Sequence, residues 1–132
     1  MCLFCKVANG EIPAYKLYED EAFVVILDRF PSALGHSLII PKKHCDDIYS
    51  MGPGDSEKLF PLVVKIAGAL KNKLKPEGLN ILQNNGEAAG QSVGHFHVHL
   101  IPRFKGDSVS IKWGQQVPTE SEFEGFVKGF NI

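Results

Sequence analysis

The chain has 132 residues, 14 Lys+Arg against 15 Asp+Glu for a formal net charge of -1, and 44% hydrophobic residues. That length fits one domain over residues 1–132, able to bury roughly two-thirds of the surface of its unfolded form without disulfides. The balanced charge offers no field for a nucleic-acid backbone or an anionic membrane, so a small-molecule substrate is the default. Met1-Cys2 opens the sequence without the features of a secretory signal, and no segment approaches 18 uninterrupted apolar residues, giving the expectation of a cytoplasmic protein. Three cysteines in a reducing compartment leave metal binding, redox work or burial.

Hydrophobic patterning predicts the elements in turn. Phe4, Val7 and Ala8 suit a short helix ended by Asn9-Gly10, and Phe23–Leu27 is an apolar, β-branched run of the kind that forms a well-buried strand. Asp28 sits where that strand stops. A turn through Pro31 and Gly35 leads to a second strand, Ser37-Leu38-Ile39-Ile40, ended by Pro41. After Met51-Gly52-Pro53-Gly54, Asp55 or Ser56 caps the main helix, whose Leu59, Val63, Ile66 and Leu70 form one stripe before Pro76 and Gly78 stop it. Leu79 to Asn84 reads as a strand, 85–94 as a glycine-rich loop, and the segment after it as the next strand of an antiparallel pair. Thr119-x-x-Glu122 has capping-box spacing, and Phe123, Phe126, Val127 and Phe130 follow as the apolar stripe of a docked terminal helix. Strands separated by one long helix favour an α+β fold with a mostly antiparallel sheet.

Three of the five histidines, His95, His97 and His99, alternate in one strand-like segment and so share a face, opposite Phe96, Val98 and Leu100. Such spacing suits either a metal site or catalysis. One ion held by all three is strained, because His95 and His99 lie about 13 Å apart at a strand rise of roughly 3.3 Å per residue. In the preceding loop Gly86, Gly90 and Gly94 allow close backbone approach, while Asn84, Gln91 and Ser92 offer neutral donors suited to phosphate oxygens; an ordinary polar turn is the alternative. Asp28 is either a turn cap or a carboxylate acceptor. Cys2-Leu3-Phe4-Cys5 is a Cys-x-x-Cys knuckle, open between a zinc half-site, a redox pair and a coincidence of spacing; two thiolates need two further ligands to close a tetrahedral zinc.

His95-Phe96-His97-Val98-His99-Leu100-Ile101 resembles the signature of the histidine triad (HIT) family, and Gly90-Gln91-Ser92 resembles its Hint branch. The likeness extends to Phe4-Cys5-Lys6, Glu11-Ile12-Pro13-Ala14, Leu27-Asp28, the run from Gly35 through Pro41-Lys42-Lys43-His44, and Asn80 through Gly86. The resemblance implies a HIT-like five-stranded sheet with one main helix and short terminal helices, usually paired as a two-fold homodimer. It implies a nucleotide hydrolase or transferase acting at the α-phosphate of purine nucleoside 5'-phosphoramidates or adenylated compounds, through a nucleotidyl-histidine intermediate and with no metal in the chemical step. In that reading His97 is the nucleophile, His99 contacts the phosphate, Ser92 sits near the leaving atom and His36 takes part in proton relay. Asn84 and Gln91 add hydrogen bonds to the phosphate, Asp28 holds the ribose, and Phe4, Val7 and Ile12 form the base slot. Zinc-containing bacterial and archaeal members imply a structural zinc on Cys2, Cys5, His44 and His95. Pro102-Arg103 resembles the Fhit-like dinucleoside polyphosphate hydrolases, the rival within the superfamily; a nucleotide- or zinc-binding regulatory protein is the rival from another class.

Overall fold

A computed structural model describes residues 2–132. Its elements are α1 (Leu3–Ala8), β1 (Lys16–Glu19), β2 (Phe23–Leu27), β3 (Ser37–Pro41), α2 (Pro53–Leu74), β4 (Gly78–Gln83), β5 (Val98–Arg103) and α3 (Glu120–Gly129), with 3-10 turns at Ile48–Ser50 and Glu87–Ala89. The strands form one antiparallel sheet in the order β1-β2-β3-β5-β4. The fold is α+β, with the main helix α2 crossing from β3 to β4. No described helix is long and apolar enough to cross a membrane.

β2 and β3 are buried almost throughout, and apolar but for Ser37, because both faces of the sheet are covered. On one face Phe23, Val25, Ile39, Phe96, Val98 and Leu100 pack against Leu62, Val63, Ile66 and Leu70 of α2. On the other, Val24, Ile26, Leu38 and Ile40 pack against Phe4, Val7 and Ala8 of α1. Fully burying each large side chain contributes about 1.5–3 kcal/mol, so two opposed clusters suffice for a domain of this size.

Several elements differ from the sequence expectation. α2 starts at Pro53 with Gly52 as its N-cap, ahead of Asp55 and Ser56, because proline at the first helical position lacks only an N–H that is unpaired there anyway. Pro61 lies inside α2 on its exposed side, where water can solvate the carbonyl its ring leaves unpaired. The histidine segment is only partly strand: β5 begins at Val98, while Phe96 N–H instead donates to the Cys45 carbonyl at 2.8 Å. The alternation of side chains survives this irregularity, so Phe96 still enters the core and the histidines still share the α1 side. α3 carries the expected capping box between Thr119 and Glu122, but it is not docked within the chain: Phe123, Phe126, Val127 and Phe130 are all exposed.

Candidate functional site

Two constellations meet on the α1 face. The first is a tetrahedron of donors. Cys2 Sγ and Cys5 Sγ lie 3.1 Å apart; His44 Nδ1 is 3.5 and 3.2 Å from them, and His95 Nδ1 is 3.3 and 3.5 Å from them. The two Nδ1 atoms are 3.1 Å apart. Six edges of such similar length place each donor about 2.0 Å from a common centre, the length of a Zn–N bond and slightly inside that of Zn–S. The sequence builds this locally: Cys2 is the N-cap of α1, and its sulfur accepts from Cys5 N–H at 3.3 Å, folding both thiols to one side.

Outer contacts fix the two imidazoles. His95 Nε2 donates to the Pro41 carbonyl at 2.8 Å and His44 Nε2 to Asp46 Oδ1 at 2.7 Å, leaving each Nδ1 lone pair for the centre. Burial would raise the Cys2 thiol, but bonds from Cys5 and His44 bring it below its ordinary value. Burial and the neighbouring Cys2 raise Cys5. Zinc binds the thiolate form, so a dication at this centre would displace the protons of both thiols. Cys2, Cys5, His44 and His95 fit zinc, whereas Cys45 stands apart, its thiol raised by burial in the α2 core.

The second constellation is a cleft of about 510 Å³ between α1, the end of β2 and the histidine segment. Phe4, Val7 and Ile12 line its apolar part; Asp28, Ser92, His97 and His99 line its polar part. Phe4 packs edge-on against His97, with ring centroids 5.0 Å apart. His97 Nδ1 donates to the His95 carbonyl at 2.8 Å, so Nε2 keeps the lone pair. His36 Nδ1 accepts from Ser32 N–H at 3.0 Å; its Nε2 therefore carries the proton and donates to His99 Nδ1 at 2.9 Å. His99 is thereby left with a proton on Nε2. Burial, then the neighbouring His97 and His36 rings, push His99 down to about 4, and burial also lowers His36, so both stay neutral near pH 7.

Asp28, His36 and His99 could also be read as a cluster of metal donors. Hydrogen bonding explains them better, since the Ser32 N–H requires the His36 lone pair at Nδ1 and leaves a proton, not a lone pair, at Nε2.

The structure brings most of the sequence-derived residues together. Asn84 and His36 line an adjoining cleft that also shares Ser92 and His99. Asp28 uses Oδ1 to accept from Phe30 N–H at 2.9 Å, so it is a turn cap as well as part of the cleft wall. Gln91 lines neither cleft: Oε1 accepts from Gly86 N–H at 2.7 Å, while Nε2 donates to the carbonyls of Asp46 and Val93 at 2.6 and 3.0 Å. It staples the glycine loop to the segment after His44. Sequence reading missed Asp46, whose signal was a carboxylate two residues after His44. It also missed the backbone groups of Ser32 and Pro41, which carry no sequence signal.

Residues 9–106 match the HIT domain family model. A Bacillus subtilis relative, Protein hit, is 46% identical over 113 residues, covering 85% of this chain and 78% of its own. The fission yeast adenosine 5'-monophosphoramidase hnt1 is 40% identical, covering 77% of this chain and 74% of its own. The Arabidopsis thaliana adenylylsulfatase HINT3 is 42% identical, covering 80% and 54%. Among solved structures, a Bacillus subtilis HIT protein superposes with a TM-score of 0.90 at 40% identity, covering 96% of this chain and 92% of its own. A zinc-bound histidine triad protein from Mycobacterium smegmatis superposes at 0.78 with 39% identity, covering 87% and 84%.

Proposed function

The chain belongs to the HIT domain family, and on that premise we propose that it cleaves purine nucleoside 5'-phosphoramidates or related adenylated compounds at the α-phosphate. The observation that carries this reading is the fixed tautomer of His97. With Nδ1–H held by the His95 carbonyl, Nε2 is a neutral nucleophile on the wall of a cleft shaped for a nucleoside. The apolar wall of Phe4, Val7 and Ile12 takes the base, and the Asp28 carboxylate, whose Oδ2 lies 3.5 Å from His36 Nε2, accepts from the ribose.

His97 Nε2 attacks the α-phosphorus, and the leaving group departs from the opposite side. His99, kept as a donor on Nε2 by the chain from Ser32 through His36, stabilises charge on the phosphate oxygens without needing to reorganise. Ser92 and Asn84, which line the adjoining cleft, are the groups this reading assigns to the phosphate and its departing atom. Water then releases the nucleoside monophosphate from His97. His36 acts here by setting the tautomer of His99, and Gln91 by holding the loop.

The zinc would be structural. Four protein donors close its coordination shell, so it keeps no position for substrate. It would anchor α1 and orient His95, and thereby His97. A two-fold homodimer is also part of this reading, supported by the free edge of β4 with Ile81 and by exposed Phe60 and Val64 on α2.

The test is direct comparison of adenosine 5'-phosphoramidate with a diadenosine polyphosphate as substrates. Preference for the phosphoramidate by kcat/KM is expected; faster turnover of the polyphosphate selects the Fhit-like alternative, and turnover of neither selects the regulatory one.

A further inference from the structure

The loop between β4 and β5, residues 84–97, carries Ser92 and His97 and has no regular structure except the 3-10 turn at Glu87–Ala89. Four hydrogen bonds tie it to residues 41–48, and all four end on main-chain atoms of that stretch. His95 Nε2 donates to the Pro41 carbonyl at 2.8 Å, Phe96 N–H to the Cys45 carbonyl at 2.8 Å and Gln91 Nε2 to the Asp46 carbonyl at 2.6 Å. Asn85 Oδ1 accepts from Ile48 N–H at 2.8 Å. Through Oε1 the same Gln91 accepts from Gly86 N–H at 2.7 Å, so the glycine turn is referred to the Asp46 carbonyl. Where the 41–48 backbone goes, the loop follows.

That stretch leaves the sheet after β3, and three anchors then hold it. The Cys45 side chain is buried in the α2 core. Asp47 Oδ1 accepts from Tyr49 and Ser50 N–H at 3.1 and 3.2 Å and so caps the 3-10 turn at Ile48–Ser50. The third anchor is His44, whose Nδ1 joins the donor tetrahedron and whose Nε2 donates to Asp46 Oδ1 at 2.7 Å. Asp46 therefore faces both ways: its side-chain oxygen holds the imidazole and its main-chain oxygen holds Gln91. The His44 and Asp46 side chains are 41% and 76% exposed, so as an ion pair they contribute little stability. What the contact fixes is a tautomer. With the proton on Nε2, the Nδ1 lone pair is left for a metal.

We propose that Asp46 is a positioning residue that ties the order of the Ser92 loop to occupancy of the Cys2-Cys5-His44-His95 site. This rests on the zinc reading above. With His44 held by a metal on one side and Asp46 on the other, the Asp46 carbonyl is fixed where Gln91 meets it, and Ser92, next in the chain, is carried with it. Without the metal, His44 anchors the stretch only through an exposed carboxylate, and the carbonyls that receive Gln91 and Phe96 are less firmly placed. Such coupling is reciprocal, so what loosens the loop also loosens the metal.

The full chain loaded with zinc is read in two ways: the rate of zinc transfer to the chelator pyridylazoresorcinol, and hydrogen exchange of peptides covering residues 85–94. Asp46→Ala should release zinc about tenfold faster and speed exchange at Gly86, whereas Asp46→Asn, which keeps an oxygen acceptor for His44, should recover most of both. Gln91→Ala touches no donor of the tetrahedron, yet reciprocity requires zinc release faster by about threefold or more. Asn85→Ala repeats that test from the Ile48 bond, and thermal unfolding confirms that each variant is folded. Glu87→Ala, on the same loop but without a bond to the stretch, should release zinc at the wild-type rate. Wild-type release in both Gln91→Ala and Asn85→Ala, wild-type exchange in Asp46→Ala, or equal acceleration by Glu87→Ala overturns the link. A wild-type chain that takes up no zinc overturns the zinc reading itself, a distinct result.

Discussion

The Nδ1 atom of His97 lies 2.8 Å from the carbonyl oxygen of His95, whose own Nδ1 belongs to the Cys2-Cys5-His44 donor tetrahedron. One residue thus offers its ring to the donor tetrahedron and its backbone to the proposed nucleophile. The labour is divided within a single dipeptide repeat, and it couples the order of the donor site to the tautomer of His97.

Purified without chelator, the protein is expected to carry one zinc per chain. Cys5→Ser removes one of four ligands and should lower zinc content below half and stability by about 3 kcal/mol or more, a shift in Tm on the order of 10 °C. Elemental analysis beside thermal unfolding checks both; full stability in a zinc-free Cys5→Ser protein would show that the tetrahedron does not hold a structural metal.

Gly35 precedes His36 with φ +91, and a Cβ there would meet Leu74 Cδ1 at 2.5 Å. Gly35→Ala combines left-handed strain with overpacking against the end of α2 and is expected to destabilise by about 2 kcal/mol. Urea unfolding measures it. A variant as stable as the wild type would mean that this turn is looser than its geometry.

His99 gives stability a defined pH dependence. Its folded pKa is depressed to about 4, against an ordinary value near 6.5, by burial and by the neighbouring His97 and His36. Between these limits the unfolded chain binds more protons, so the contribution is fully present above pH 6.5 and is lost as pH falls toward 4. His99→Gln should flatten, without abolishing, the decline of the urea midpoint across that window, because His36 and His95 are depressed as well. Superimposable profiles for variant and wild type would exclude His99 as a source.

Arg103→Ala removes the clamp on residues 107–109 and leaves the Asn80 side chain without its 2.7 Å donor. A loss of about 1–2 kcal/mol is expected, with faster hydrogen exchange confined to the 104–111 segment and β4. Unchanged exchange in that segment would show that the segment holds itself.

How far the sequence revealed this arrangement depends on which residues carried the information. β2 matches its expected span, Phe23–Leu27, because burial on both sheet faces imposes a continuous apolar run. β1 escaped notice: Lys16–Glu19 lies at the sheet edge with three of four side chains exposed, so it shows no periodicity. The Thr119–Glu122 capping box was legible because it is local. Docking of α3 was not, since an apolar stripe says that a helix has a partner without saying where the partner lies. In the site, His97 and the Cys2, Cys5, His44 and His95 cluster were readable as side chains in motifs. The hydrogen bonds that hold His36 and Gln91 run to backbone amides and carbonyls, which every residue has and no sequence distinguishes.

In the proposed reaction His97 forms a covalent bond to the α-phosphorus. Acid-quenched single turnover of adenosine 5'-phosphoramidate, read by intact-protein mass spectrometry, measures it directly. The wild type should show transient addition of one adenylyl group, localised to His97, and His97→Ala should bind AMP yet show neither adduct nor turnover. Turnover by His97→Ala at the wild-type rate, or an adduct on another residue, would contradict the account.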